Sequence, residues 1–173
     1  MQGNTLFARA GLALALNIAT VCLPLSFAAA LAGEAVQAGD LKLETPWTRA
    51  TPPNAMVGGG YLTITNTGSE PDRLIAAASP IAAKVEIHDM KVENGIMTMR
   101  PVSGGLVIPA GETVTLAPGG LHVMFVKLTG PMKQGERVAA TLTFEKAGAV
   151  EIMFPVAAIG ASKPDHAGHA MGN

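Results

Sequence analysis

The sequence predicts an all-β domain, built as a two-sheet sandwich or a Greek-key barrel. Three observations carry this. Apolar and polar residues alternate with a period of two through several short stretches. Glycine and proline punctuate the chain every 8 to 12 residues. No window of 12 residues reads as a convincing amphipathic helix.

Taken in order, Leu41-Lys42-Leu43-Glu44 alternates, and Pro46 is expected to interrupt that stretch before Trp47. Thr51 to Met56 reads as a loop, with Met56 assigned to rim or surface packing in preference to an auxiliary thioether role. Gly58-Gly59-Gly60 lacks the lysine and following helix that a phosphate loop requires. Tyr61 to Asn66 is a strand, closed by Asn66-Thr67-Gly68. From Lys84 to Met90 the alternation sends Val85 and Ile87 to the core, and Glu86, His88 and Met90 the other way. Thr113–Leu116, Leu121–Leu128, Arg137–Phe144 and Val150–Val156 complete the expected strands.

The N-terminal segment, 1–32, reads as a signal peptide. Arg9 supplies the positive charge, Gly11 to Ala32 carries none, and Ala30-Leu31-Ala32 fits the small-x-small cleavage rule, with Ala28 and Ala38 as alternatives. The stretch is long enough for an uncleaved anchor, but Asn17, Thr20 and Pro24 interrupt it. Cleavage is therefore expected, leaving no stable membrane anchor. The single cysteine, Cys22, lies inside this segment, and Ala19-Thr20-Val21 before it makes a poor lipoprotein box. The mature chain would then contain no cysteine, which excludes disulfides, thiolate zinc sites and a cysteine nucleophile.

About 130 mature residues make one domain, expected over 40–158. Loss of Arg9 takes Lys plus Arg from 12 to 11 against 13 acidic residues, so the net charge is 11 − 13 = −2. There is no basic stripe, which argues against nucleic acid. After 158 the composition becomes that of a linker, Gly160 to Asp165. It opens a flexible tail, 159–173, that carries His166, His169 and Met171.

The chemistry lies in two clusters. The first holds His88 and Met90, with Met97 and Met99 close behind; the second is His122-Val123-Met124. Thioether sulfur is neutral and polarizable, so it suits Cu(I) and poorly suits Zn, Mg or Ca. Three of the four histidines have Met at i+2, where composition alone gives about 0.2 such pairs. In a strand, i and i+2 share a face, so His122 and Met124 can reach one ion. Methionine usually fills core gaps and a strand histidine is often a satisfied buried group. The combination outweighs that alternative.

His88, ten intervening residues, Met99, then His122-x-Met124 resembles the signature H-x10-M-x21-H-x-M of the extracytoplasmic copper chaperones called PCu(A)C. The gap from Met99 to His122 holds 22 residues, one more than the signature, and Ser103-Gly104-Gly105 is a turn able to absorb it. The resemblance extends through Trp47-Thr48-Arg49-Ala50, Tyr61 to Asn66, Met97 to Val102, Ile108-Pro109-Ala110-Gly111 and Pro118-Gly119-Gly120. It implies a cupredoxin-like fold and a Cu(I) site of His88, Met99, His122 and Met124. Between Met97 and Met99, which share a strand face, the resemblance selects Met99. It also implies hand-over of copper to the copper-site subunit of cytochrome c oxidase, alongside Sco-type chaperones. The tail residues His166, His169 and Met171 form a candidate Cu(II) site, since a mobile chain can wrap that ion in tetragonal N,O geometry.

No Ser/His/Asp order or paired-carboxylate motif stands out, so no enzyme activity is expected. A blue-copper electron carrier needs a cysteine ligand. A structural or adhesive periplasmic β-sandwich without a metal is the competing reading. It would account for the fold and leave the His-x-Met pairs unexplained.

Overall fold

The computed structural model describes residues 35–164. The expected signal segment and the tail residues His166, His169 and Met171 lie outside them.

Eleven strands and no helix make up this region. They are β1 (Val36–Ala38), β2 (Leu41–Arg49), β3 (Val57–Asn66), β4 (Asp72–Ala78), β5 (Ala82–Glu93), β6 (Ile96–Pro101), β7 (Leu106–Ile108), β8 (Thr113–Leu116), β9 (His122–Leu128), β10 (Arg137–Phe144) and β11 (Gly148–Ala157). Hydrogen bonding runs β2-β11-β10-β4-β5-β9-β3, and β3 pairs with β2, which closes a barrel of seven strands. The remaining four lie beside it: β1 on β2, β8 on β3, β6 on β5 and β7 on β4. All pairings are antiparallel except β11 with β2, where Val156 and Ala157 lie opposite Thr48 and Arg49. Closure leaves few bare edges, and the all-β, cupredoxin-like expectation holds.

The barrel is filled by inward side chains of every strand in it, with Phe125, Phe144, Phe154, Leu43, Ile64 and Leu142 almost wholly buried. Phe125 and Phe154 meet edge to face, 6.0 Å between centroids. Gly60 makes room for this pair, since a Cβ there would lie 2.8 Å from Phe125 and 3.2 Å from Phe154.

Several elements differ from expectation. Pro46 does not end its strand. The register of β2 on β3 shifts between Glu44 and Trp47, with Thr45 at φ 46°, so the proline sits in a bulge where no ladder donor is needed. The glycines 58–60 belong to β3, which begins at Val57, earlier than Tyr61. Strand β4 was not expected: its alternation fades into Ile75-Ala76-Ala77-Ala78, a run with little β propensity of its own. Strands β1 and β7 are three residues each, too short for a periodic signal. Gly104 and Gly105 both adopt positive φ between β6 and β7, as the expected turn at 103–105 requires.

Candidate metal centre

Strand β5 is the axis of the site. Its even-numbered residues turn away from the core, because Val85 fills the core and alternation does the rest. One edge of β5 pairs with β9, setting His88 opposite His122 and Glu86 opposite Met124. Strand β6 also pairs with β5, setting Met90 opposite Met99 and His88 opposite Pro101. Opposed residues of an antiparallel pair share a face, so His88, Met90, Met99, His122 and Met124 all project from one side of a three-stranded ribbon. Met97, opposite Val92, projects from the same side but nearer the hairpin end.

The face grades from buried to exposed. His122 is 4% exposed, Met124 is half-buried, and Met99 is 42% exposed. The rings of His88 and His122 lie 5.9 Å apart between centroids, tilted at 50°. His122 Nδ1 donates to the Gly120 carbonyl at 2.9 Å, and because that oxygen can only accept, the lone pair of the neutral ring falls on Nε2. His88 Nε2 lies 3.3 Å from Glu86 Oε2, while its Nδ1 is buried with no hydrogen-bond partner. The Lys84 ammonium bonds the other Glu86 oxygen at 2.6 Å, and this bond, then that of His88, holds the Glu86 carboxyl below its ordinary pKa. Each imidazole thus has one nitrogen engaged and one whose lone pair is available to a metal.

A cleft of about 220 Å³ opens on this face, lined by Val57, Gly59, Met90, Met99, His122 and Met124, with Tyr61 at its border. Gly59 lies opposite Met124, and its missing Cβ leaves room for the Tyr61 hydroxyl, which a Cβ would meet at 2.7 Å. Burial raises the Tyr61 phenol above its ordinary pKa, with Arg49 opposing, so the hydroxyl is neutral at pH 7. Tyr61 packs tilted against Trp47, 4.6 Å between ring centroids, Arg49 lies over both rings, and its Nε donates to the Ala161 carbonyl. Among the described residues no three His, Cys, Asp or Glu side chains gather as a metal site, and the cleft's other soft donors are the thioethers of Met90, Met99 and Met124.

The register therefore brings the four expected core residues onto one face, with Met99, His122 and Met124 in the cleft and His88 beside it. Met56 is exposed, as rim packing requires, and Met132 is buried with its sulfur 3.4 Å from the Thr48 hydroxyl. The sequence places Glu86 and Met90 on the His88 face but assigns neither a role, and it carries no signal for the Gly120 carbonyl. The i, i+2 series Glu86-His88-Met90 was the available signal for the first two.

Fold and face together define a cupredoxin-like β-barrel with a soft-donor surface. The chain belongs to the LpqE-like family, described as "Putative lipoprotein LpqE-like", whose model matches residues 41–156; this is the PCu(A)C-type family. A relative in Leifsonia xyli, "Putative lipoprotein Lxx21020", is 31% identical over 120 residues, spanning 69% of this chain and 71% of its own. A copper-bound PCuAC domain from PmoF2 is 31% identical with a TM-score of 0.63, covering 72% of this chain and 98% of that one. The Cu(I) form of DR1885 from Deinococcus radiodurans is 32% identical with a TM-score of 0.51, covering 65% and 74%. PCuAC domains are copper-binding domains of the chaperone type.

Proposed function

We propose that this protein is an extracytoplasmic copper chaperone that binds Cu(I) through His88, Met99, His122 and Met124. The observation that carries the reading is the state of the two imidazoles. His122 has Nδ1 engaged by the Gly120 carbonyl, which leaves Nε2 for an ion, in a cleft walled by the thioethers of Met90, Met99 and Met124, and His88 beside it has a buried nitrogen with no partner. A buried imidazole nitrogen without a partner costs stability, and a cation on that face would remove the cost. All four donors are neutral, so the bound ion keeps its charge, and the thioethers favour Cu(I).

Copper is the cargo here, and hand-over proceeds by ligand exchange. Met99 stands most exposed of the four, so an acceptor's incoming ligand displaces its sulfur first, and His122, the most buried, lets go last. Copper is never free in solution in this sequence of steps. The resemblance points to the copper-site subunit of cytochrome c oxidase or a Sco-type chaperone as acceptor. In this reading the leader 1–32 exports the protein to the periplasm, the domain acts without catalysis, and His166, His169 and Met171 of the tail take Cu(II).

Competition against a Cu(I) chelator and against Zn(II) tests the core site. Cu(I) retention far above that of zinc is expected; equal retention of the two would overturn the assignment.

A further inference from the structure

Met90 is the thioether for which the four-ligand reading has no use. It lines the cleft beside Met99, His122 and Met124, whereas His88 does not. Its backbone is tied to the second histidine through one atom. The Gly120 carbonyl accepts the His122 Nδ1–H at 2.9 Å and the Met90 amide at 3.3 Å. Met90 is also the strand partner of Met99, so their sulfurs leave the ribbon side by side from opposed positions. His88, in turn, is held at Nε2 by a carboxylate that Lys84 anchors from the other side.

We propose that Met90 is a fifth copper ligand, and that the cleft offers a second ligand set of Met90, Met99, His122 and Met124 overlapping the one that includes His88. This rests on the Cu(I) reading above and extends it. Thioether and imidazole are both neutral, so exchanging His88 for Met90 moves no charge, and three donors stay bound while the fourth changes. The ion can then shift along the face between an inner set with His88 and an outer, sulfur-rich set with Met90. The outer set stands beside the exposed Met99, where an acceptor would approach. Met90 supplies the vacated position, and hand-over begins with His88 already released.

The test is carbon NMR of the whole, unsubstituted protein carrying methyl-labelled methionine, titrated anaerobically with one equivalent of Cu(I). The methyl signals of Met90, Met99 and Met124 are expected to move, while those of Met97 and buried Met132 stay. A stationary Met90 signal with Met99 and Met124 moving overturns the inference and leaves the proposed function standing, Met90 then being only cleft wall. If none of the three moves, both fall. Chelator competition gives an independent measure. His88→Ala should still retain Cu(I), and His88→Ala with Met90→Leu should lose roughly tenfold more affinity than the product of the single losses. Strictly multiplicative losses would count against a shared position.

Discussion

At the scale of single residues, the two methionines of β6 separate by exposure and register. Met97 is 65% exposed opposite Val92, whereas Met99 faces Met90 and lines the cleft. Met99→Leu keeps the volume and removes the sulfur, so Cu(I) affinity should drop while stability changes by less than about 1 kcal/mol. Met97→Leu should alter neither. Chelator titrations of the two variants check this, and a reversed order would move the ligand one strand step along β6.

Two elements depend on close local fits. Strand β3 passes over the Phe125–Phe154 contact at Gly60, where any side chain must push the rings apart. Gly60→Ala should cost about 1–3 kcal/mol by overpacking, measured as a lower denaturant midpoint with an unchanged slope. Strand β4 begins at Asp72, 7% exposed, whose carboxylate accepts from the backbone N–H groups of Arg73, Lys146 and Ala147 at 2.7, 2.9 and 3.0 Å. It thereby ties the β10–β11 turn to β4. Burial alone would raise this carboxyl's pKa, but the three N–H donors and the Lys146 charge outweigh it and hold it below the ordinary value. A depressed carboxyl stabilises the fold above its unfolded pKa, about 4, and loses that contribution as pH falls through the lower folded value. Asp72→Ala should therefore cost roughly 2 kcal/mol at pH 7, with the gap to the native protein closing below about pH 4. Urea unfolding at a series of pH values checks both statements, and a gap independent of pH would refute the second.

For the whole molecule, β11 meets β2 in the barrel's one parallel pairing, and the chain continues past that seam onto the Trp47–Tyr61 pair. Ala161 packs there and accepts from Arg49. Truncation after Ala158 would strip this contact from the residue that borders the cleft. Truncation after Pro164 removes His166, His169 and Met171 and leaves it in place. The shorter change should abolish one Cu(II) equivalent with Cu(I) binding nearly intact, as read by parallel titrations in the two oxidation states. Undiminished Cu(II) uptake would refute a tail site. At the other end, Val36 and Ala38 of β1 pack on the core, so cleavage of a leader at Ala28 or Ala32 would preserve β1, whereas cleavage at Ala38 would delete it.

What the sequence determined by itself is the set of local relations. Period-two alternation told which residues of one strand share a face, so His122 with Met124 and Glu86 with His88 and Met90 could be read directly. Thioether chemistry narrowed the metal, and the glycine turns marked most strand ends. What only the tertiary structure decided is which strands are neighbours. Placing β5 between β6 and β9 depends on register across loops, and hydrogen bonds between backbones carry no side-chain signature that a local pattern could reveal. The same holds for Pro46, which a bulge accommodates, and for β4, whose alanines form a strand because β10 and β5 pair with it. The cleft and the bond from the Met90 amide to the Gly120 carbonyl are products of that pairing, since each joins atoms that the chain keeps far apart.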